Sequence, residues 1–376
     1  MSEPPHLADL RALVGQPGSR GRIPTPAAVL DLDAFERNVA KMQARADAAR
    51  LALRPHAKSH KCAALARIQL DAGAVGVCCA KLAEAEALAA AGIRRILVTS
   101  PIVGEAPARR AARLAAELED FRIVLDHVDG PAELGSAAAA PIGVLIDVDV
   151  GLGRTGVSNV EQAIEVARAI AAQPNLKLIG VQGYGGHWQH MEGANARASA
   201  VAGGMARLSA VVSALRDAGH TIGVVTGGGT GSFEADAAQG VLNEVQPGSY
   251  AFMDRQYRDA LKADPDGAFE QALAIAATVI STNHPRWVTV DAGLKAFATD
   301  AGPPIPLGLD GAEYGFFGDE HGRLTRPGGR DLARGDRIDF VPPHVDPTLD
   351  RYEVIHLVRG DVLVDVARIE ARGASQ

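Results

Sequence analysis

The chain is short of several residue types, and each shortage excludes something. Among its 376 residues are three cysteines, Cys62, Cys78 and Cys79. An odd count with an adjacent pair is no disulfide framework, and it suits a reducing cytoplasm. Aromatic residues make up only 4%, so small aliphatic side chains must fill the interior. Basic runs are missing too, and the net charge is −7, which argues against a nucleic-acid partner. The N-terminal MSEPPHLADL has no basic start followed by an apolar stretch, so no secretory signal is legible. No uninterrupted apolar run reaches the roughly 18 residues that a membrane span needs.

What is present is a large apolar share, 47%, arranged in short runs. Leu51–His56, Val75–Cys79, Arg95–Thr99, Ile123–Asp126, Gly143–Val148, Leu178–Gly183, Gly223–Thr226 and Glu244–Ala251 read as strands. Between them lie Ala/Leu/Arg-rich segments with helical periodicity, such as Lys81–Ala91, Pro107–Leu118 and Gln162–Ala171. Gly92 stops the first of these, as a glycine after a helix does. Strands alternating with helices imply parallel βαβ units. Eight of them in roughly 200 residues indicate a TIM-type (β/α)8 barrel; an open doubly wound sheet is the competing arrangement. After about residue 260 the texture changes. Ala272–Ser281, Trp287–Asp291, Arg337–Val341, Glu353–Leu357 and Asp361–Ala367 read as strands between Gly/Pro/Asp turns, with no long helix. The expected organisation is a barrel over 34–258, with 1–33 and 259–376 forming a second, β-rich domain. The early strand Ala27–Leu32 precedes the first barrel strand and can join that domain.

The unusual polar residues fall at the C-terminal ends of the barrel strands, where barrel active sites are built. Lys58 follows the first strand in RPHAKSHK. Arg154 follows the fifth, His190 the sixth, and the TGGGTGS run the seventh, with Thr226 and Gly227, Gly228 and Gly229. Tyr250 ends the eighth. Backbone N–H groups of a glycine run can approach an anion closely, and a following helix adds its positive end. After strand seven, the run is a phosphate cradle candidate; a plain flexible turn is the alternative. Lys58 is the candidate Schiff-base amine, which needs a lowered pKa. Arg54, His56, His60 and Lys61 crowd it, and positions 54, 56, 58 and 60 would share one face of a strand. A solvated basic loop is the plainer reading, the favoured one for Lys61. His344 and Asp346 in PPHVDPT lie two residues apart, so on a strand both would face one side. An imidazole with a carboxylate suits Mn²⁺, Zn²⁺ or Co²⁺; an isolated His-x-Asp pair is more often structural. Asp319 and His321 read as surface turn residues, Asp291 and Lys295 as hydrogen-bonding residues of the β-domain, and Cys78 and Cys79 as small core residues. His187 competes with His190 for a catalytic part.

Taken together, PTPAAVLDLDAFERNV, RPHAKSHK, VDVGLGRTGV, TGGGTGSFE, NEVQPGSYAFMD, DAGLK and PPHVDPT resemble the D-threonine aldolases. These group with D-serine dehydratase-like proteins among the alanine racemase-fold pyridoxal-phosphate enzymes. The resemblance runs from about residue 24 to the C-terminus, with the motifs in family order. It implies that Lys58 carries the pyridoxal 5'-phosphate and that Arg154 contacts its phenolic oxygen. It implies Tyr184, Tyr250 and the Gly227–Gly229 loop around the phosphate, with His344 and Asp346 on a divalent metal. His190 would be the base at the substrate hydroxyl. The family often carries a histidine directly after the tyrosine of the Tyr184 motif, where this chain has Gly185. The implied reaction is retro-aldol cleavage of D-threonine and related D-3-hydroxy amino acids to glycine and an aldehyde, in a cytoplasmic homodimer. The implied metal is Mn²⁺, with Mg²⁺, Co²⁺ or Zn²⁺ as substitutes. The rivals are a D-3-hydroxy amino acid dehydratase, whose members tend to have Cys where Asp346 stands, an alanine-type racemase, and a non-enzymatic pyridoxal-phosphate carrier, which matches the barrel alone.

Overall fold

The computed structural model describes residues 5–262, 269–325 and 331–376. Eight parallel strands form one sheet: Ala52–Leu53, Val77–Cys79, Arg95–Val98, Asp120–Leu125, Ile142–Asp147, Leu176–Gly183, Val224–Gly227 and Glu244–Val245. The last pairs with the first, and a bridge between His56 and Cys78 joins the first to the second. The strands therefore run in a ring, as expected for the barrel. Their apolar runs are continuous because both faces are covered, which is the signature of parallel strands. Cys78, Leu97, Val124 and Leu145 pack together inside the ring with Ile179 and Val224. The opposite faces meet the helices in the main core.

Polar caps set the helix starts. The Asp31 side chain accepts the Ala34 N–H at the head of Leu32–Ala48, and Asn159 accepts the Gln162 N–H at the head of Val160–Ala171. One helix, Ala194–Asp217, is long and apolar enough to cross a membrane by length and composition. Its Val201, Met205, Leu208 and Leu215 are buried in the main core, so it serves as a barrel helix.

The second sheet has nine strands. Leu273–Ser281 lies near its centre, antiparallel to Ala27–Asp31, Trp287–Val290 and Arg337–Val341. Ala27–Asp31 runs parallel to Val354–Arg359, which pairs with Val362–Arg368. The chain's first strand is thus built into the middle of its last domain. Three short strands, Ile305–Pro306, Tyr314–Phe316 and Gly322–Thr325, complete the sheet; sequence pattern misses them because glycine and proline interrupt them.

PPHVDPT, where the pair was expected to face one side as on a strand, is a short helix, Val345–Leu349, with His344 at its N-cap. Asp254 causes this. Its Oδ2 accepts the Val345 N–H at 2.9 Å, and a proline in the first turn is compatible with a helix. The pair is therefore placed by a turn rather than by strand alternation.

Candidate active site

A cavity of about 670 Å³ opens at the C-terminal ends of the barrel strands. That volume is within the usual range for cofactor sites. His56, Lys58, Thr99, Asp126, Arg154, Tyr184, Gly229, Thr230, Ser249 and Tyr257 are on its walls.

Lys58 reaches it from a tight turn. The first strand stops early because Pro55 has no N–H to pair, and Ala57–Ser59 winds into one 3-10 turn. The expected shared face of residues 54 to 60 is therefore broken. Arg54 points to the opposite mouth of the barrel, where it meets Glu244 and Asp120. His60 is buried against Phe252. Lys61 pairs with Asp350 and Glu84.

The Lys58 ammonium contacts Asp346 Oδ2 in a short ion pair. Burial pulls the Lys58 pKa down, but the Asp346 charge and the neighbouring Tyr184 more than offset it, and the net shift is upward. This reverses the lowered pKa expected of the amine, because a carboxylate rather than a cation is its nearest partner. His56 beneath it is held neutral: burial and the Lys58 charge push it down to about 3. Its Nδ1 accepts the Lys58 N–H. Its Nε2 is 3.1 Å from the Thr99 hydroxyl, which itself donates to the Cys79 carbonyl. That chain of bonds assigns the ring proton to Nε2. The floor continues as a buried amide network. Gln182 donates to Asp147 and to the Thr99 carbonyl, and Gln246 donates to Gln182 and to Thr226.

The glycine run lies where a phosphate would be held. Gly229 and Thr230 are on the cavity wall with Gly248 and Ser249. A Cβ on Gly229 would fall 2.4 Å from Gln189 Oε1, so a side chain here would have to displace the buried Gln189 amide. Thr226, Gly227 and Gly228 are buried and absent from the cavity wall. Tyr250 departs from expectation. Its ring is fully buried and its hydroxyl accepts from Gln69, so the phenol is turned away from the cavity. Its backbone N–H bonds the Thr230 hydroxyl instead, which ties the eighth strand end to the glycine loop.

Arg154 lies over the Tyr184 ring at 5.5 Å from its centroid. The His190 ring packs against Tyr257, centroids 4.5 Å apart and tilted by 52°. Burial lowers its pKa, helped by the Lys58 charge. His187 packs on Trp188 instead and lies near Gly151, on another side. At Gly185, where the resemblance led to the expectation of a histidine, a side chain would fall 2.0 Å from the indole of Trp188; that tryptophan fills the space.

His344 Nδ1 is 2.7 Å from Asp300 Oδ2. Asp346 Oδ1 is buried and has no hydrogen-bond partner, a costly arrangement unless something else binds it. Among the described residues no three His, Cys, Asp or Glu side chains gather as a metal site. Protein donors at this point thus number two. Asp254 and Asp300, which orient this turn, escape sequence reading: an acid in a turn carries no pattern. Asp291 accepts from Thr25 and from the Thr278 N–H, a hydrogen-bonding place within the β-domain, and Lys295 pairs with Glu320.

Known proteins match this layout. The alanine racemase N-terminal domain family matches residues 30–256, and a putative serine dehydratase domain matches residues 272–358. A D-threonine aldolase of an Arthrobacter species is 41% identical over 96% of both chains. The chain belongs to the D-threonine aldolase family. A 3-hydroxy-D-aspartate aldolase of Paracoccus denitrificans strain Pd 1222 is 38% identical over 97% of this chain and 96% of its own. The crystal structure of a D-threonine aldolase from Filomicrobium marinum superposes with a TM-score of 0.90 at 38% identity, covering 95% of this chain and 98% of that one. The family is one of alanine racemase-fold pyridoxal-phosphate enzymes, and the chain is a lyase. A barrel-only carrier is thereby set aside, since both domains match.

Proposed function

We propose that this enzyme cleaves D-threonine and related D-3-hydroxy amino acids by a retro-aldol reaction, using pyridoxal phosphate and a divalent metal. The observation that carries the metal is the unpartnered, buried Asp346 Oδ1, beside the cofactor lysine and two residues from a histidine. A carboxylate and an imidazole are hard and borderline donors that fit Mn²⁺, with Mg²⁺, Co²⁺ and Zn²⁺ as substitutes. The cavity's size, its lysine and its glycine loop fit the cofactor. When bound, pyridoxal phosphate supplies an electron sink for charge at Cα, and the metal supplies a Lewis acid for the β-hydroxyl.

The protein's own part follows from its geometry. Lys58 would hold the cofactor through its side-chain amine. Gly229, Thr230, Gly248 and Ser249 supply polar groups for the phosphate. Arg154, held over Tyr184, supplies a cation for the ring oxygen. His190, neutral and within electrostatic reach of Lys58 and Asp346, takes the β-hydroxyl proton. The Cα–Cβ bond then breaks, the aldehyde leaves, and protonation at Cα gives glycine. We also infer a homodimer, supported by Val103 standing 81% exposed at the cavity mouth. A cytoplasmic setting accords with three buried free cysteines.

The deciding experiment is incubation with D-threonine, D-phenylserine and D-3-hydroxyaspartate, with Mn²⁺ or with chelator. Acetaldehyde and glycine from D-threonine, lost on chelation, are the expected result. Mainly 2-oxobutanoate would make the enzyme a dehydratase. Full activity in chelator would remove the metal.

A further inference from the structure

The contact between His344 and Asp300 has no evident structural purpose. The two are 44 residues apart in sequence. Their side chains are 24% and 52% exposed. A pair so open to water contributes little stability. What it does fix is the imidazole. A carboxylate oxygen accepts, so Nδ1 carries the ring proton and Nε2 keeps its lone pair. Nε2 is then the ring nitrogen that can ligate.

The backbone beneath is fixed separately. Asp254 is fully buried; its Oδ1 accepts the Tyr257 N–H at 3.0 Å and its Oδ2 the Val345 N–H at 2.9 Å. Arg255 N–H also bonds the Pro342 carbonyl at 3.1 Å. The turn carrying His344 is thus anchored to the end of the barrel, yet these bonds leave the imidazole free to rotate about its own χ angles. Asp300, from a different loop, is the group that stops it. The remaining donor, Asp346 Oδ1, is buried without a partner. A two-donor site depends heavily on orientation, because it has no third protein ligand to hold the ion while a ring turns.

We infer that Asp300 is a positioning residue for the divalent metal: it holds His344 in the Nδ1-protonated form, with Nε2 presented for the ion beside Asp346, and does not ligate the ion itself. The inference rests on the metal reading above. Carboxylates that orient a ligating histidine in this way typically govern metal affinity by 10- to 100-fold.

The test is direct Mn²⁺ titration of the cofactor-loaded protein, following free Mn²⁺ by electron paramagnetic resonance. Asp300→Ala is expected to weaken Mn²⁺ binding by about 10- to 100-fold. Asp300→Asn keeps a neutral acceptor for the Nδ1 proton and should lose less. His344→Ala, which removes a ligand, should lose more than either. Cofactor absorbance and the melting temperature in chelator should stay at wild-type values for both Asp300 variants, and saturating Mn²⁺ should restore cleavage. Mn²⁺ affinity within twofold of wild type in Asp300→Ala would overturn the positioning role. So would both Asp300 variants falling as far as His344→Ala, since Asp300 would then be a ligand. A wild type that binds no Mn²⁺, or a His344→Ala variant that binds it normally, would bring down the metal site itself.

Discussion

The two mouths of the barrel are built from the same eight strands, and both are crowded with charge. At the N-terminal mouth, Arg54, Arg95 and Arg122 meet Glu119, Asp120 and Glu244 around a cavity of about 500 Å³. Each arginine has a carboxylate within 3.6 Å, so charge is balanced there even though Arg54 Nε and Nη1 and Glu244 Oε1 make no hydrogen bond. At the C-terminal mouth the groups are mismatched. A lysine depends on a carboxylate with one oxygen unsatisfied, a histidine is forced neutral, and Asp147 is pushed up to about 6 by burial. Charges that neutralise each other close a barrel end, whereas charges left over or held in unusual states are available for chemistry.

The largest effect that would break this contrast is at Lys58. Lys58→Ala should reduce cleavage to background while the protein still folds, because Lys58 is the lysine beside both Asp346 and the glycine-loop cavity. Borohydride trapping followed by peptide mapping checks the assignment; a label on Lys61 or Lys295 would refute it. The converse substitution is Arg54→Met. Arg54 is 1% exposed and lies 3.1 Å from Glu244 Oε1. Removing it leaves the buried Glu244 carboxylate with Arg122 alone at 3.6 Å; breaking a buried pair typically costs about 3–5 kcal/mol, and Arg122 should keep the loss at the lower end. Denaturant unfolding should show that loss, while kcat per folded molecule stays near wild type. A catalytic defect without a stability defect would erase the distinction between the mouths.

The same contrast explains what could be read in the sequence. The eight strands were legible because parallel strands buried on both faces are unbroken apolar runs. Their ends were not: Glu244–Ala251 reads as one strand, but only Glu244–Val245 pairs, and the chain then turns through Pro247 and Gly248 into a 3-10 turn at Ser249–Ala251. Lys58, Arg154 and Gly229 could be found because they sit just past strand ends, and they line one cavity with Tyr184, which only the family resemblance pointed to. Tyr250 sits in the same kind of place, yet its ring faces Gln69; that choice is made by packing between distant segments, which no local pattern records. Asp254 and Asp300 act across 91 and 44 residues of sequence.

A smaller effect sharpens the comparison through pH. His60 is buried at the C-terminal end, and burial lowers its pKa from 6.5 to about 4. Its folded pKa lies below its unfolded one, so the unfolded chain takes up the proton first. The stabilisation is complete above about pH 6.5 and is lost as pH falls toward 4. The full difference is about 3 kcal/mol, of which roughly 2 kcal/mol is gone by pH 5. His60→Asn keeps an acceptor for the Cys62 N–H, which now bonds His60 Nδ1 at 3.0 Å, and removes the titration. The denaturation midpoint should therefore fall less between pH 7.5 and pH 5 in the variant than in wild type. Equal falls would mean that this imidazole is protonated without penalty.

The smallest expected effect concerns how the C-terminal mouth is filled. Trp188 is fully buried. A Cβ at Gly185 would lie 2.0 Å from its ring, and one at Gly204 would lie 2.4 Å from it. Neither contact is possible without movement, so the two glycines and the indole are a matched set. Gly185→Ala should overpack this site and cost about 1–3 kcal/mol. The indole closes one side of the segment that carries Tyr184 and His190, so the strain should also raise KM. Trp188→Phe alone should destabilise by leaving a void. The double variant should recover part of both losses, because the smaller ring vacates the space that the new methyl needs. A double-mutant cycle in urea reads this directly. Additive losses would mean that position 185 and the indole are independent, and that the tryptophan does not account for the glycine at this position.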